Sequence, residues 1–309
     1  MHGSHISGQK LSNQILENDA ELSPDGMKVT QFAPPAALAP FVTHVYFFRC
    51  DQLRLTDQMP AALGQLIFLL KGSANLQFQD GHIVPVSDTT IMGPGLGAAE
   101  FTFDGPFYHL GFALSPLGFV ALTGRPANQY ADRAVPASAL FGPEIDTLAQ
   151  TIIAGFTDGT MPLSQIVDEV TRFLLARLRP IPNFHAQMVQ TVIGWLSSNF
   201  DPDVDQLYSK LEMSRSTATR FITRYFGCAP KLLTRKYRAL RAATIMVDPN
   251  ATAEMRSQVE STFYDQPHMI REIRQFAGRT PGALDSNNAK VMRLWLSKEN
   301  FRDIESFLG

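Results

Sequence analysis

Cysteine is almost absent from this chain: its 309 residues carry two, Cys50 and Cys228. Two isolated thiols exclude a disulfide framework. In no metal-like or redox-like spacing, they read as reduced structural side chains of a cytoplasmic protein. Long apolar runs are missing too. The best stretch, Phe107 to Leu122, is interrupted by His109, Gly111, Pro116 and Gly118, so no membrane helix is expected. The first twenty residues are polar and lack the apolar core of a secretory signal. Histidine is sparse, and no His-x-His pair occurs. His44, His82 and His109, with Glu100, therefore read as ordinary strand residues rather than as a metal site. Neither cysteine nor any serine lies in a recognisable nucleophile elbow. Gly93-Pro-Gly-Leu-Gly97 is followed by no phosphate-binding helix with a lysine, which makes it a turn. The expectation is a non-enzyme with no catalytic residue, no metal and no cofactor.

What is present is a chain long enough for about two domains. It is 45% hydrophobic and 18% charged, which supports sizeable cores and excludes disorder. The net charge of −2 conceals an asymmetry. Residues 1–182 carry ten basic and sixteen acidic side chains, whereas residues 183–283 carry thirteen basic and nine acidic. A basic second half beside an acidic first half suggests a binder of anions.

Residues 25–140 read as β-rich. Phe41–Phe48 and Gln65–Leu70 are short runs of aromatic and branched residues, and Asn75–Gln79 alternates polar with apolar. Asp80-Gly81 before Ile83–Val86 is a hairpin signal. Phe101–Phe103 and Tyr108–Leu114 are further strands, and the whole suggests a sandwich or small barrel. From Pro143 the period becomes helical, with Ile145, Leu148, Ile152 and Ile153 on one face and Leu163, Ile166, Val167, Val170, Leu174 and Leu178 on another. Pro180 and Pro182 mark a break. The expected division is an arm over 1–24, a β-rich domain over 25–140, a helical connector over 141–182, a helical domain over 183–284 and a helical extension over 285–309. The fold class is α+β, multidomain.

The helical domain contains a duplication. Ser214–Pro230 and Asp265–Pro281 lie 51 positions apart, and Arg220 matches Arg271, Ile222 matches Ile273, Gly227 matches Gly278 and Pro230 matches Pro281. Ser214 and Asp265 suit helix N-caps, and the glycines suit left-handed C-caps. A short helix, a turn and a second helix, occurring twice, is the helix-turn-helix plan.

Phe263 to Pro281 resembles the signature of AraC-type transcription regulators, and Ser214 to Arg241 resembles the first half of the same module. Residues 30–130 are similar to that family's cupin-like N-terminal domain. The resemblance implies a sequence-specific DNA-binding regulator with two recognition helices in adjacent major grooves, modulated by a small ligand or by dimerisation. It implies double-stranded DNA as partner, with a small-molecule effector, a homodimer contact and an RNA polymerase contact as further partners. It places Ser216, Thr219, Arg220, Gln266, His268 and Arg271 on base edges, where Arg suits guanine and Gln adenine. Arg215, Arg224, Lys231, Arg235, Lys236 and Arg274 read as phosphate contacts. The chain departs from the family at Tyr208 and Gln258, where a small residue is usual, and at Glu212 and Thr262, where a turn glycine is usual. These departures motivate the alternative of a ligand-binding or protein-interaction module with weakened DNA contact.

Overall fold

The structure, a computed structural model, describes residues 26–284 and 290–296. The expected arm over 1–24 lies outside the described residues, as does the apolar stretch Phe301–Leu308.

Eight strands form one antiparallel sheet in the order β1-β2-β7-β4-β6-β8, with β3 paired to β7 and β5 to β4. They are β1 (Met27–Phe32), β2 (Val42–Cys50), β3 (Arg54–Met59), β4 (Gly64–Gln77), β5 (Ile83–Pro85), β6 (Thr89–Met92), β7 (Ala99–Leu114) and β8 (Ala134–Pro136). Two expected strand pairs merge into β4 and β7. The chain bends rather than stops in β4, where the register against β7 shifts around Lys71 and Gly72 sits at φ 88°. A bulge of this kind bends a strand and keeps its pairing. The Asp80-Gly81 turn joins β4 to β5 as the hairpin signal indicates.

Strand alternation explains why β2, β4 and β7 read as nearly continuous apolar runs: both faces of the sheet are covered. Val45 and Phe47, Leu66 and Phe68, and Leu110 and Phe112 enter one core. Tyr46 and Phe48, Ile67 and Leu69, and Phe107 and His109 turn to the opposite face, where all of them but Leu69 line a cavity. The first face is covered by four helices, α1 (Pro116–Thr123), α2 (Ser138–Phe141), α3 (Glu144–Thr157) and α4 (Leu163–Leu175). Ile145, Ile152, Ile166, Val170 and Leu174 join the core of that sheet face. Residues 141–175, read as part of a connector, thus pack as a layer of the β-domain. Ser115 caps α1 by accepting from Gly118 N at 2.9 Å. Every residue of α1 is buried, because Phe119 and Leu122 face the sheet while Leu117 and Val120 join a separate core with Trp195 and Tyr225.

The remaining helices are α5 (Asn183–Leu196), α6 (Val204–Leu211), α7 (Arg215–Phe226), α8 (Pro230–Val247), α9 (Ala253–Thr262), α10 (Gln266–Ala277), α11 (Pro281–Leu284) and α12 (Lys290–Trp295). One core gathers Val192, Trp195, Leu207, Ile222 and Tyr225 around α5, α6 and α7. Another gathers Leu240, Val259, Ile273, Phe276 and Leu284 around α8, α9 and α10. At roughly 1.5–3 kcal/mol for each fully buried large apolar side chain, either core outweighs any single polar contact within it.

Candidate nucleic-acid interface

Two helix-turn-helix units share the long helix α8. In each, a side-chain cap fixes where the second helix begins. Asp203 Oδ1 accepts from Asp205 N at 3.0 Å to start α6, and Ser214 Oγ accepts from Thr217 N at 3.2 Å to start α7. Thr252 Oγ1 accepts from Met255 N at 3.2 Å to start α9, and Asp265 Oδ1 accepts from His268 N at 2.7 Å to start α10. Gly227 at φ 86° and Gly278 at φ 83° end α7 and α10 in the left-handed region.

Each second helix buries a stripe spaced i, i+3, i+4, i+7. In α7 it is Ala218, Phe221, Ile222 and Tyr225; in α10 it is Met269, Glu272, Ile273 and Phe276. The opposite faces are open. Ser216, Arg220, Gln266 and Arg271 are exposed, and Thr219 and His268 are half-buried. Arg215, Arg224, Lys231 and Arg274 are exposed as well. Arg215 is held over the Tyr208 ring at 5.4 Å and paired with Asp205 at 3.0 Å.

Two cations expected on phosphate are engaged elsewhere. Lys236 is 3% exposed and donates from Nζ to Gly95 O at 2.7 Å and Ala62 O at 3.1 Å. Burial lowers its pKa from the ordinary 10.5 to about 8. Its position on the buried side of α8 removes it from any surface a duplex could touch. Arg235 donates to Glu272 at 2.6 Å and to Gln275 at 3.3 Å. Glu272, 1% exposed, also pairs with Arg238 at 2.7 Å and sits 3.3 Å from His268 Nε2. Arg238 in turn reaches Asp201 at 2.7 Å. This buried cluster locks α10 onto α8.

The residues unusual for the signature are accommodated in different ways. Glu212 takes the left-handed turn at φ 51°. Tyr208 fills the helix crossing and its hydroxyl meets the Thr219 hydroxyl at 3.0 Å. The second turn is rebuilt: Thr262 is helical, and Phe263 follows at φ −99° and ψ 149°. Thr262 Oγ1 donates back to Gln258 O at 2.7 Å.

The C-terminal ends of both second helices dock on the β-domain. Ala61 N donates to Phe276 O at 2.8 Å, Ala98 N to Gln275 O at 2.9 Å and Gln79 Nε2 to Gln275 O at 2.6 Å. A Cβ on Gly227 would lie 2.6 Å from Pro94, and one on Gly278 would lie 2.7 Å from Gln58. The glycine-rich turn is therefore also a docking strip. Asp132, itself at φ 51°, braces it by accepting from Leu96 N at 2.6 Å and Gly97 N at 3.3 Å.

The sequence reading missed Glu272, Arg238 and Asp57. Glu272 carried a signal: a carboxylate inside an apolar stripe announces a buried partner. Asp57 carried none, since Arg279, Val291 and Met292, which it holds, lie more than 200 positions away. Among the described residues, no group of three or more His, Cys, Asp or Glu could hold a metal ion. Within the same residues, no helix is long and apolar enough to cross a membrane. Cys50 and Cys228 are buried and unpaired, and burial pushes the Cys228 thiol up to about 11.

A family model described as a domain of unknown function (DUF6597) matches residues 30–136. No curated relative matches the sequence. Among solved structures, apo ToxT K231A from Vibrio cholerae is similar at 9% identity and a TM-score of 0.41, over 85% of this chain and 97% of that one. ToxT from the same organism in complex with an unsaturated fatty acid is similar at 9% identity and a TM-score of 0.40, over 84% and 95%. The AraC-like transcriptional activator CuxR is similar at 12% identity and a TM-score of 0.33, over 72% and 84%.

Proposed function

We propose that this chain is a cytoplasmic transcription regulator that binds double-stranded DNA sequence-specifically, through α7 and α10 in adjacent major grooves about 34 Å apart. One observation carries the reading. Two capped basic helices hang from the shared helix α8, bury equivalent stripes, and leave Arg220 and Arg271 exposed at the same step of each. Arginine at such a step can bond guanine O6 and N7 in a fork. Arg224, Lys231 and Arg274 would supply the phosphate contacts that give affinity and salt dependence. The cavity on the far face of the sheet is the place for a small effector, and a homodimer or RNA polymerase contact belongs to the same reading. A ligand then acts by favouring one placement of the two helices over another.

A second reading, a ligand-binding or protein-interaction module with weakened DNA contact, is favoured by one detail. The Thr219 hydroxyl, expected on a base edge, is taken up by Tyr208.

Fluorescence anisotropy of labelled upstream duplexes against the full chain, at several salt concentrations, separates the two. The regulator reading expects sequence preference and a steep salt slope. Arg220→Ala and Arg271→Ala should each cost roughly 1–3 kcal/mol on the preferred duplex. Equal, weak binding to every duplex, unaffected by either substitution, supports the second reading and ends the first.

A further inference from the structure

The cavity in the β-domain is closed by a residue from the far end of the chain. With α12 in place its volume is about 50 Å³, between Tyr46, Phe48, Gln65, Phe107, His109 and Trp295. Five of these belong to the sheet. Trp295 belongs to α12 and stands edge-on to the Tyr46 ring, with centroids 4.9 Å apart and planes at 89°. Val291, 1% exposed and one turn earlier, lines the same space.

The wall is apolar with a small polar end. The Tyr46 hydroxyl donates to Gln65 Oε1 at 2.6 Å. Gly111, facing Tyr46 across the β2–β7 ladder, makes room for this, because any Cβ there would run into the Tyr46 ring. His109 is 7% exposed, stacks on Phe48 at 5.2 Å, and has a buried Nδ1 with no hydrogen-bond partner. A buried polar atom left unpaired is costly, and a ligand group that meets it recovers that cost. Burial holds the His109 pKa down at about 3, so the ring is neutral and offers an incoming anion no charge to pair with.

The fastening of α12 is equally specific. Asp57, on β3 and 2% exposed, accepts from Val291 N at 3.1 Å and Met292 N at 3.2 Å through Oδ2. Through Oδ1 it accepts from Arg279 Nη2 at 2.7 Å and Gln58 N at 2.7 Å. Arg279 follows the C-cap of α10 directly. One carboxylate therefore ties the cavity-closing helix, the exit of the second recognition helix and the strand beside the cavity.

We propose that α12 is a tethered plug: an apolar, uncharged ligand with one hydrogen-bonding group for His109 competes with Trp295 for the cavity, lifts α12 off Asp57 and loosens the hold of the β-domain on α10. Occupancy of the cavity and docking of α10 become linked equilibria, because both draw on the Asp57 carboxylate. The plug itself is independent of DNA; only its consequence for α10 rests on the regulator reading.

The experiment uses the full chain and N-phenyl-1-naphthylamine, a neutral apolar fluorophore. A plug that leaves about a tenth or less of the protein open weakens apparent affinity by the same factor, so Trp295→Ala should bind the probe at least about tenfold more tightly than wild type. Asp57→Asn, a near-isosteric change outside the cavity wall, should shift affinity in the same direction. A cooperative melt in each variant confirms folding. In the unaltered chain, saturating probe should speed amide hydrogen exchange over residues 290–296. The proposal is overturned if neither variant binds the probe more tightly, or if exchange over 290–296 stays the same or slows. If the probe results hold and the probe changes duplex affinity in wild type but not in Trp295→Ala, the coupling to α10 stands. If the probe results hold and no duplex binds any form, the plug stands and the regulator reading falls.

Discussion

The two helix-turn-helix units are built from matching second helices but supported differently. In α7 the buried stripe carries no charge, and Phe221 fills the step that Glu272 occupies in α10. The first unit is held by ordinary packing around Trp195 and Tyr225. The second adds a buried ionic cluster, with Glu272 between Arg235 and Arg238, and backbone hydrogen bonds that the carbonyls of Gln275 and Phe276 accept from the β-domain. An apolar contact tolerates small displacement. A buried ion pair does not, because separating the charges leaves each desolvated and alone. The second unit is thus the more rigidly placed, and it is the one tied through Arg279 and Asp57 to the cavity.

The largest test of this contrast is Glu272→Ala. Removing this carboxylate leaves the buried Arg238 with Asp201 as its remaining acidic partner and should cost up to about 3–5 kcal/mol in urea unfolding. Phe221→Ala should cost a comparable amount through its cavity, about 3–5 kcal/mol. The two then part: adding Arg238→Met should restore much of the loss in the Glu272 variant and nothing in the Phe221 variant. An Arg238→Met effect that is the same in both backgrounds would erase the distinction between ionic and apolar support.

Lys236, on the helix that both units share, sharpens the contrast next. Its pKa is lowered in the folded chain to about 8, from the ordinary 10.5. Below about 8 the buried ammonium carries its full desolvation cost. Between about 8 and 10.5 the unfolded chain holds a proton that the folded chain has released, so this group makes stability rise with pH across that window. The change is on the order of 3 kcal/mol. Lys236→Met should flatten that rise in denaturation curves measured from pH 7 to 10.5. An unchanged pH profile would mean that the ammonium is not buried as described.

The smallest effect lies in the turns. Glu212 holds φ 51°, whereas Thr262 holds no positive φ. Glu212→Gly should stabilise the chain by about 1 kcal/mol, and Thr262→Gly should give no gain and lose up to about 1 kcal/mol of helix propensity. Equal thermal shifts from the two would contradict the difference between the turns.

Much of the C-terminal fold was legible because its signals are local. Ser214 and Asp265 cap within three residues, Gly227 and Gly278 stop their helices, and the stripes repeat at helical spacing. The hairpin at Asp80-Gly81 was equally readable. The merging of strands into β4 and β7 was not, since a bulge and a true turn use the same glycine punctuation. Exposure at Arg220 and Arg271 matches what the pattern implies, but Lys236 and Arg235 look like their exposed neighbours in sequence. Only the opposing carbonyls of Ala62 and Gly95, and the carboxylate of Glu272, set them apart.

Local backbone chemistry alone decided where helices begin and end, which side of each is apolar, and that one basic helix occurs twice. Tertiary structure alone decided which charges are withdrawn from solvent, that a glycine-rich turn docks two helices, and that Trp295 closes a cavity in the distant β-domain. The physical reason is range. Caps, periodicity and φ preferences act over a few residues, whereas desolvation and ion pairing depend on groups that folding brings together from more than two hundred positions apart.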